Sequence, residues 1–329
     1  YGVGSSKRKR GRIMTHKLIE MLRYMRPEGS ETQKEFCDVY LKPIFGSPDI
    51  YGNYILNMGV NPRLCFTAHH DTVHRTDGIQ NLLVSNEVVS VADPISSSCL
   101  GADCTTGIWL MLNMIEAGVE GTYVVHAAEE IGCKGSIGLV YDNPYWLDHT
   151  EAVISFDRKG TDSVITHQMG MRTASDAFAN SFADALNLPQ LKPDAYGSYT
   201  DSNEYCRIIQ ECTNISVGYY NQHSSKETQD LKYAEVLLDH LIKADWSKII
   251  IERDPSVVDD DWNYYYEDVG SSRGYYGHQV SDITTIVDEN PDGVASLLES
   301  LGFSADTLLQ ELDIRDNFYL DNYGQRRMM

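Results

Sequence analysis

The chain has 329 residues, 42% of them hydrophobic, which is enough to bury a full core and suits one large α/β domain with an appendage. Its formal charge of -21 argues against nonspecific nucleic-acid binding, which needs a basic surface. No apolar stretch approaches the roughly 20 residues that span a bilayer, and the first residues lack the apolar region of a secretory signal, so a cytoplasmic protein without a membrane partner is expected.

Seven scattered cysteines (Cys37, Cys65, Cys99, Cys104, Cys133, Cys206 and Cys212) lack CxxC spacing. That argues against a disulfide framework and against a thiolate zinc site, and predicts reduced thiols in the core. The acidity is uneven. From Asp254 onward, sixteen acids face four arginines.

Residues 1–13, YGVGSSKRKRGRI, read as a basic leader or an expression remnant ahead of Met14. Leu18, Ile19, Leu22 and Met25 then follow helical spacing, ended by Pro27 and Gly29. A second helix is expected near Ser30, where Ser30 and Gln33 resemble a capping box. YGNYILNMG and PRLCFTAHHD read as strands of one sheet with a turn at Asn61 and Pro62. The second ends in HHDTVH. There His69 and Asp71 form a His-x-Asp pair in which the acid can orient a metal-bound imidazole, whereas His70 and His74 suit bystanders.

A polar stretch ending in SSSCLGADCTTG leads into a helix that is apolar nearly all round from Ile108 to Ile115, with Gly118 near its end. Asp103 at its entrance reads first as an N-cap, which Asp favours strongly, with a carboxylate pointing into the same crevice as His69 as the functional alternative. In TYVVHAAEEIGCKGS the β-branched run from Tyr123 to Ala128 predicts a buried strand that delivers Glu129 and Glu130 to its C-terminal end. Adjacent carboxylates repel each other unless cations or protons intervene. EAVISFD is another strand, ending in Asp157, and SVITHQM a further one. Helices are expected from Ala174 to Leu186 and from Asp201 to Ile209, with Asp201 and Glu204 as helix caps. ECTNISVGYYNQHSS is the last core strand, carrying His223 to its end, and a long helix from Glu227 to Ile250 closes the domain.

The fold class expected is α/β: a three-layer αβα sandwich with a mixed, mostly parallel central sheet, plus a small helical C-terminal appendage. Its strand ends and following loops present His69, Asp103, Glu129 with Glu130, Asp157 and His223. Two imidazoles and four carboxylates suit zinc, with cobalt or manganese as alternatives. Two cations sharing one carboxylate would absorb the repulsion and polarise a bridging water for hydrolysis.

The ordered set AHHDTV, LGADC, HAAEEIG, ISFD and NQHS resembles the co-catalytic zinc exopeptidase superfamily over roughly Met14 to Trp246. The resemblance implies one zinc held by His69 and Asp157, another by Glu130 and His223, Asp103 bridging, Asp71 orienting His69, and Glu129 as general base. The sequence departs from the common pattern after the bridging acid, where Cys104 and Thr105 follow in place of the second Asp and the Lys that many relatives carry. The sixty-six positions between Asp157 and His223 are too few for the lid domain many relatives insert, so the compact, lidless form resembles bacterial leucyl aminopeptidases. Tyr219 and Tyr220 are candidates to line the substrate pocket or to donate to the oxyanion, with core packing at least as good a reading. An aminopeptidase acting on peptide or amide substrates is the function implied. The alternatives are another amide hydrolase of deacetylase or carboxypeptidase type, a glutaminyl cyclase, or a noncatalytic binding protein.

The domain organisation expected is a catalytic domain at 14–252, an acidic Tyr-rich linker at 253–285 and a helical appendage at 286–329. Val294, Leu297, Leu298 and Leu301, then Leu308, Leu309 and Leu312, form short apolar stripes there. Such stripes need the catalytic domain, another subunit or a partner to cover them.

Overall fold

The computed structural model of the chain describes residues 15–142 and 147–257, the helical residue Leu298 and a short strand pair near the end. The basic stretch 1–13, the linker from 258 on and the apolar helices expected around 294–312, Leu298 apart, lie outside the described residues. The chain divides into two compact units, Tyr1–Tyr266 and Glu267–Met329. In the second, Phe318–Leu320 pairs antiparallel with Arg326–Met328.

The first helix, α1 (15–21), stops one turn earlier than its apolar spacing suggests. The chain straightens into β1 (Tyr24–Met25), which pairs with a later strand and lets Arg26 point inward, where it is fully buried. Helix α2 (Glu31–Phe36) begins at Ser30, whose hydroxyl accepts from the Gln33 amide at 3.1 Å. The reciprocal arm of the box is displaced: Gln33 Oε1 accepts from the Gly29 amide instead of that of Ser30. A π-helical turn, Cys37–Leu41, leads into α3 (Lys42–Phe45).

Strands β2 (Tyr54–Met58) and β3 (Leu64–His69) follow. The polar stretch after them holds three short strands, β4 (Gly78–Ile79), β5 (Leu82–Ser85) and β6 (Val88–Val91), none of which has enough apolar alternation to be legible in sequence. Helix α4 (Ala102–Glu116) buries thirteen of its fifteen residues, and Gly118 in the left-handed conformation ends it. Then come β7 (Gly121–His126), α5 (Lys134–Asp142), β8 (Ala152–Arg158), β9 (Ser163–Ile165), the two-residue strands β10 (His167–Gln168) and β11 (Met171–Arg172), α6 (Asp176–Leu186) and β12 (Lys192–Asp194).

Helix α7 (Asp201–Glu204) is a single turn, shorter than its expected extension to Ile209. Beyond it the Tyr205 carbonyl accepts from both the Ile208 and Ile209 amides, which closes the chain into turns. Strand β13 (Glu211–Ser216) completes the core. It ends before Gly218, at φ 93°, where the chain leaves the central sheet. What was expected to be one strand up to His223 is thus β13 followed by a hairpin of β14 (Tyr219–Tyr220) and β15 (Thr228–Asp230). The closing helix is correspondingly shorter, α8 (Leu231–Lys243), and Glu227 lies outside it.

The central sheet has the order β12-β9-β13-β8-β3-β7-β2. β13, β8, β3 and β7 run parallel, and β2 and β9 join them antiparallel. Side chains alternate across a strand, so a sheet covered on both faces feeds two cores. Phe66, Tyr123, Ile154 and Phe156 enter the larger core with α4, α6 and α8. Cys65, Val124, Val153 and Cys212 enter a smaller one with Leu139 of α5 and Tyr205 after α7. These are the three layers expected. The seven cysteines are all free and buried, and no helix among the described residues is long and apolar enough to cross a membrane. The strands β14, β15, β6 and β5 form a second sheet beside the body.

The helix α4 reaches the main sheet at Gly107, where an added Cβ would meet the Phe156 carbonyl oxygen at 2.4 Å. Alanine would gain about 1 kcal/mol of helix propensity there. It would also push α4 off β8 against backbone that cannot yield, an overpacking cost of about 1–3 kcal/mol or more. Gly107→Ala is therefore expected to lower stability in urea unfolding; equal or greater stability would show that the two elements are less closely seated than this.

Candidate metal centre

Strands β7, β3 and β8 are parallel neighbours, so their carboxyl ends open into one crevice, the place where ligands bind in such sheets. His69 closes β3, Asp157 is the penultimate residue of β8, and Glu129 and Glu130 lie just past the end of β7. Adjacent residues on an extended strand point to opposite sides, so both glutamates can share a crevice only if the chain turns. It does so at Ala128, at φ 57°, with Gly132 and Cys133 also in the left-handed region. A left-handed alanine costs on the order of 1 kcal/mol. Asp71 offsets this: its two carboxylate oxygens accept from the Glu129 amide at 3.1 Å and the Glu130 amide at 3.0 Å.

Asp71 is also the residue behind His69. Its Oδ1 lies 3.3 Å from His69 Nδ1, leaving Nε2 to face the crevice. There Nε2 is 3.7 Å from Asp157 Oδ1 and 4.0 Å from Glu129 Oε2. The second Asp157 oxygen is occupied by the Thr200 hydroxyl at 2.9 Å. Across the crevice, His223 Nε2 lies 3.2 Å from Asp103 Oδ2 and 3.5 Å from Glu130 Oε2. Asp103 sits in the first turn of α4 and is not its cap: Gly101 occupies that position.

Three sets of side chains each bring their donor atoms within 4.8 Å of one another: Asp103, Glu130 and His223; His69, Glu129 and Glu130; His69, Asp103 and Cys104. Asp103 and Glu130 thus each belong to both halves of the crevice. The seven residues singled out as ligands, base and orienting acid all converge here. His70 and His74 do not, because both ring nitrogens of each are bonded within the fold: His70 to Gln33 and the Gly52 carbonyl, His74 to Thr72 and the Cys99 carbonyl.

The electrostatics follow from crowding acids away from water. Burial alone would push the His69 imidazole down, but Cys104, Asp157, Asp71 and Glu129 together hold it well above its usual range. Burial, reinforced by Asp103 and Glu129, pushes Glu130 well above the carboxylate range, and burial raises Glu129 likewise. Asp103 moves the other way, since its contact with His223 outweighs the burial that would raise it. Two histidines cannot supply enough positive charge for all these acids. Glu130 Oε1, moreover, is buried with no hydrogen-bond partner, a costly state for a carboxylate oxygen. An imidazole and carboxylate donor set with such an orphaned oxygen fits a divalent cation.

Tyr219 is buried and its hydroxyl donates to the Asp157 carbonyl at 3.0 Å, so its polar atom is used inside the fold. Tyr220 is 43% exposed. Three residues near the site escaped the sequence reading. Asp201, expected to cap α7, is instead buried at its first position after the cap Thr200; its Oδ1 accepts from the Ser136 hydroxyl at 2.6 Å while Oδ2 has no partner, and burial raises it to about 7. Arg26 donates to the His70 carbonyl, Cys104 Sγ and Thr105 Oγ1, so the two residues that depart from the common pattern after Asp103 are the ones it binds. Glu227 accepts three backbone amides at the start of α4. None is flagged by spacing, since each lies far in sequence from the groups it touches.

No family sequence model matches the chain, and no curated protein sequence matches it. Among solved structures, a tripeptidase from Staphylococcus aureus superposes with a TM-score of 0.57 at 12% identity, over 71% of this chain and 97% of its own. Aminopeptidase PepT from Bacillus cereus gives 0.53 at 14% identity, over 71% of this chain and 98% of its own. The TET1 peptidase of Pyrococcus horikoshii, which can assemble into a tetrahedron or a large octahedral shell, gives 0.51 at 15%, over 70% and 99%. The resemblance carried by the five motifs is met at the level of the fold: this chain has the α/β fold of these peptidases.

Proposed function

We propose that the chain is a metal-dependent hydrolase of peptide bonds, acting as an aminopeptidase. The observation that carries this reading is the pairing of His69 with Asp157 and of His223 with Glu130 on two sides of Asp103, at the carboxyl end of the sheet. His69 and Asp157 would hold one divalent cation and Glu130 and His223 a second, with Asp103 shared. The donor set supports zinc, with cobalt or manganese as alternatives. When bound, such a pair of ions lowers the pKa of a water and polarises a carbonyl oxygen.

The protein's own groups do the rest. Asp71 holds the His69 ring through Nδ1. Glu129, whose carboxylate borders His69 and is raised by burial, accepts the proton of the attacking water. It returns that proton to the leaving nitrogen as the C–N bond breaks, so the products are a carboxylic acid and an amine. The acidic crevice attracts a substrate's free α-amine, and Tyr220, 43% exposed and three positions before His223, is our candidate to line a side-chain pocket. The absence of a lid domain among the residues between Asp157 and His223 supports an exopeptidase for short peptides, as does the likeness in fold to a tripeptidase and an aminopeptidase. Buried free thiols are consistent with a reducing cytoplasm. We assign the apolar stripes after residue 286 to docking on another subunit or partner.

A panel of aminoacyl, N-acylated and carboxyl-terminal amide substrates with zinc, cobalt or manganese tests the reading. Cleavage confined to substrates with a free amino terminus is expected. Preference for N-acylated or carboxyl-terminal substrates would move the assignment to a deacetylase or a carboxypeptidase.

The two central glutamates should separate on substitution. Glu129→Gln keeps shape and metal uptake but removes the proton acceptor, lowering turnover by roughly 10² to 10⁴. Glu130→Gln replaces a charged ligand by a poor neutral one, so metal content falls and excess metal restores part of the activity. Metal titration of the two purified variants checks this, and a fully metallated Glu130→Gln beside a metal-free Glu129→Gln would reverse the roles.

Proton and cation compete for the raised Glu130. Its folded pKa lies above the unfolded value of about 4.3, so the metal-free protein loses stability as pH rises from there through the raised value. A bound cation removes that loss. The gain in melting temperature on adding zinc is therefore expected to be large at about pH 8 and to shrink toward about pH 5. A gain independent of pH would mean that zinc binds elsewhere.

A further inference from the structure

His223 reaches the crevice by an unusual route. Its hairpin has left the central sheet, so no strand of that sheet fixes where its imidazole lies relative to Asp103 on α4. Two side chains make that connection instead. Glu227, four positions after His223 and fully buried, spans to the entrance of α4: Oε2 accepts from the Leu100 amide at 2.7 Å and the Gly101 amide at 2.9 Å, and Oε1 from the Ala102 amide at 2.9 Å. Gln229 repeats the link one turn into the helix, where its Oε1 accepts from the Thr106 hydroxyl at 2.6 Å. Gln229 Nε2 in turn donates to the Val217 carbonyl at 3.1 Å, at the exit of β13.

The first amides of a helix lack internal partners and carry its positive end, so a buried carboxylate there is bound strongly and in a fixed orientation. The cap residue Gly101 provides no side-chain bond of its own, and its space is tight: an added Cβ would lie 2.9 Å from Thr72 Cγ2. The amides bound by Glu227 immediately precede Asp103. One end of the clamp is therefore fixed next to one proposed ligand and the other end next to another.

We infer that Glu227 is a positioning residue that sets the spacing of Asp103 and His223, and so the affinity of the cation they would share with Glu130. This rests on the two-cation reading of the site. It predicts an asymmetry: among the described residues no hydrogen bond joins the Glu227 side chain to His69 or Asp157, so the other cation position should depend on it far less.

The test is a stepwise cobalt titration of metal-free full-length protein, followed by visible absorption, with His223→Ala identifying the step that belongs to this position. Glu227→Gln keeps the shape but replaces one acceptor with an amide donor that faces a backbone N–H. It is expected to weaken the step lost in His223→Ala by about 10- to 100-fold, the usual effect of a residue supporting a ligand. The other step should change much less. Glu227→Asp, which keeps the carboxyl group but cannot span all three amides, should fall between Gln and wild type, and it serves as the test if the Gln variant does not fold. Two unchanged steps, or two steps weakened equally, would overturn the inference while leaving the hydrolase reading intact. Wild-type protein that takes up no cobalt would overturn both.

Discussion

The constraint on which the structure depends is the burial of acids at one end of a parallel sheet. Asp71, Asp103, Glu129, Glu130, Asp157, Asp201 and Glu227 all lie in or around a single crevice, shielded from water to differing degrees. Unpaired, such a group would cost several kcal/mol per charge. The fold divides the problem by kind of partner. Asp71 and Glu227 accept from backbone amides and so act as clamps. Asp103 and Asp157 face histidines. Glu129 and Glu130 are left with raised pKa values, and Glu130 with an oxygen that nothing in the described chain satisfies. Charge that must be supplied from outside is concentrated where a cation can be held.

The architecture that presents these groups is partly rigid and partly improvised. β3, β7 and β8 are locked in parallel register between two cores, so His69, Asp157 and the glutamate turn inherit their spacing from the sheet. Asp103 inherits its own from the seating of α4 on β8 at Gly107. His223 lies on a hairpin that has left that sheet, tied back to β8 through the Tyr219 hydroxyl on the Asp157 carbonyl and to α4 through Glu227 and Gln229. Its position depends on side-chain ties across a hairpin, and functional groups held in this way are the ones most exposed to change by substitutions elsewhere.

The central strands and the buried helix were legible because their signals are local: β-branched runs of strand length in VISF and YVVH, and a helix apolar nearly all round after Asp103. The candidate site acids Glu129, Glu130 and Asp157 are legible because they follow those runs directly. What escaped was decided over long separations. Arg26 ends α1 early by turning inward to groups on α4, and no spacing in its own segment announces that. β4 pairs with distant β1 and β6 with distant β15, while β5 pairs only with its neighbour β6 at the edge of that sheet, and the alternation of all three is weak. The helix expected from Glu227 to Ile250 begins only at Leu231, and nothing local marks Glu227 as a group that reaches the start of α4. The glycine that ends β13 was visible in SVGYY, yet a glycine within an apolar run signals a bend without saying which sheet follows.

The most direct measurement is anomalous diffraction at the zinc edge from crystals of the protein grown with zinc. The account predicts two peaks, about 3.5–4 Å apart, one between His69 and Asp157 and one between Glu130 and His223, with Asp103 reaching both. No zinc in the crevice, or zinc bound only at sites away from these five side chains, would contradict it.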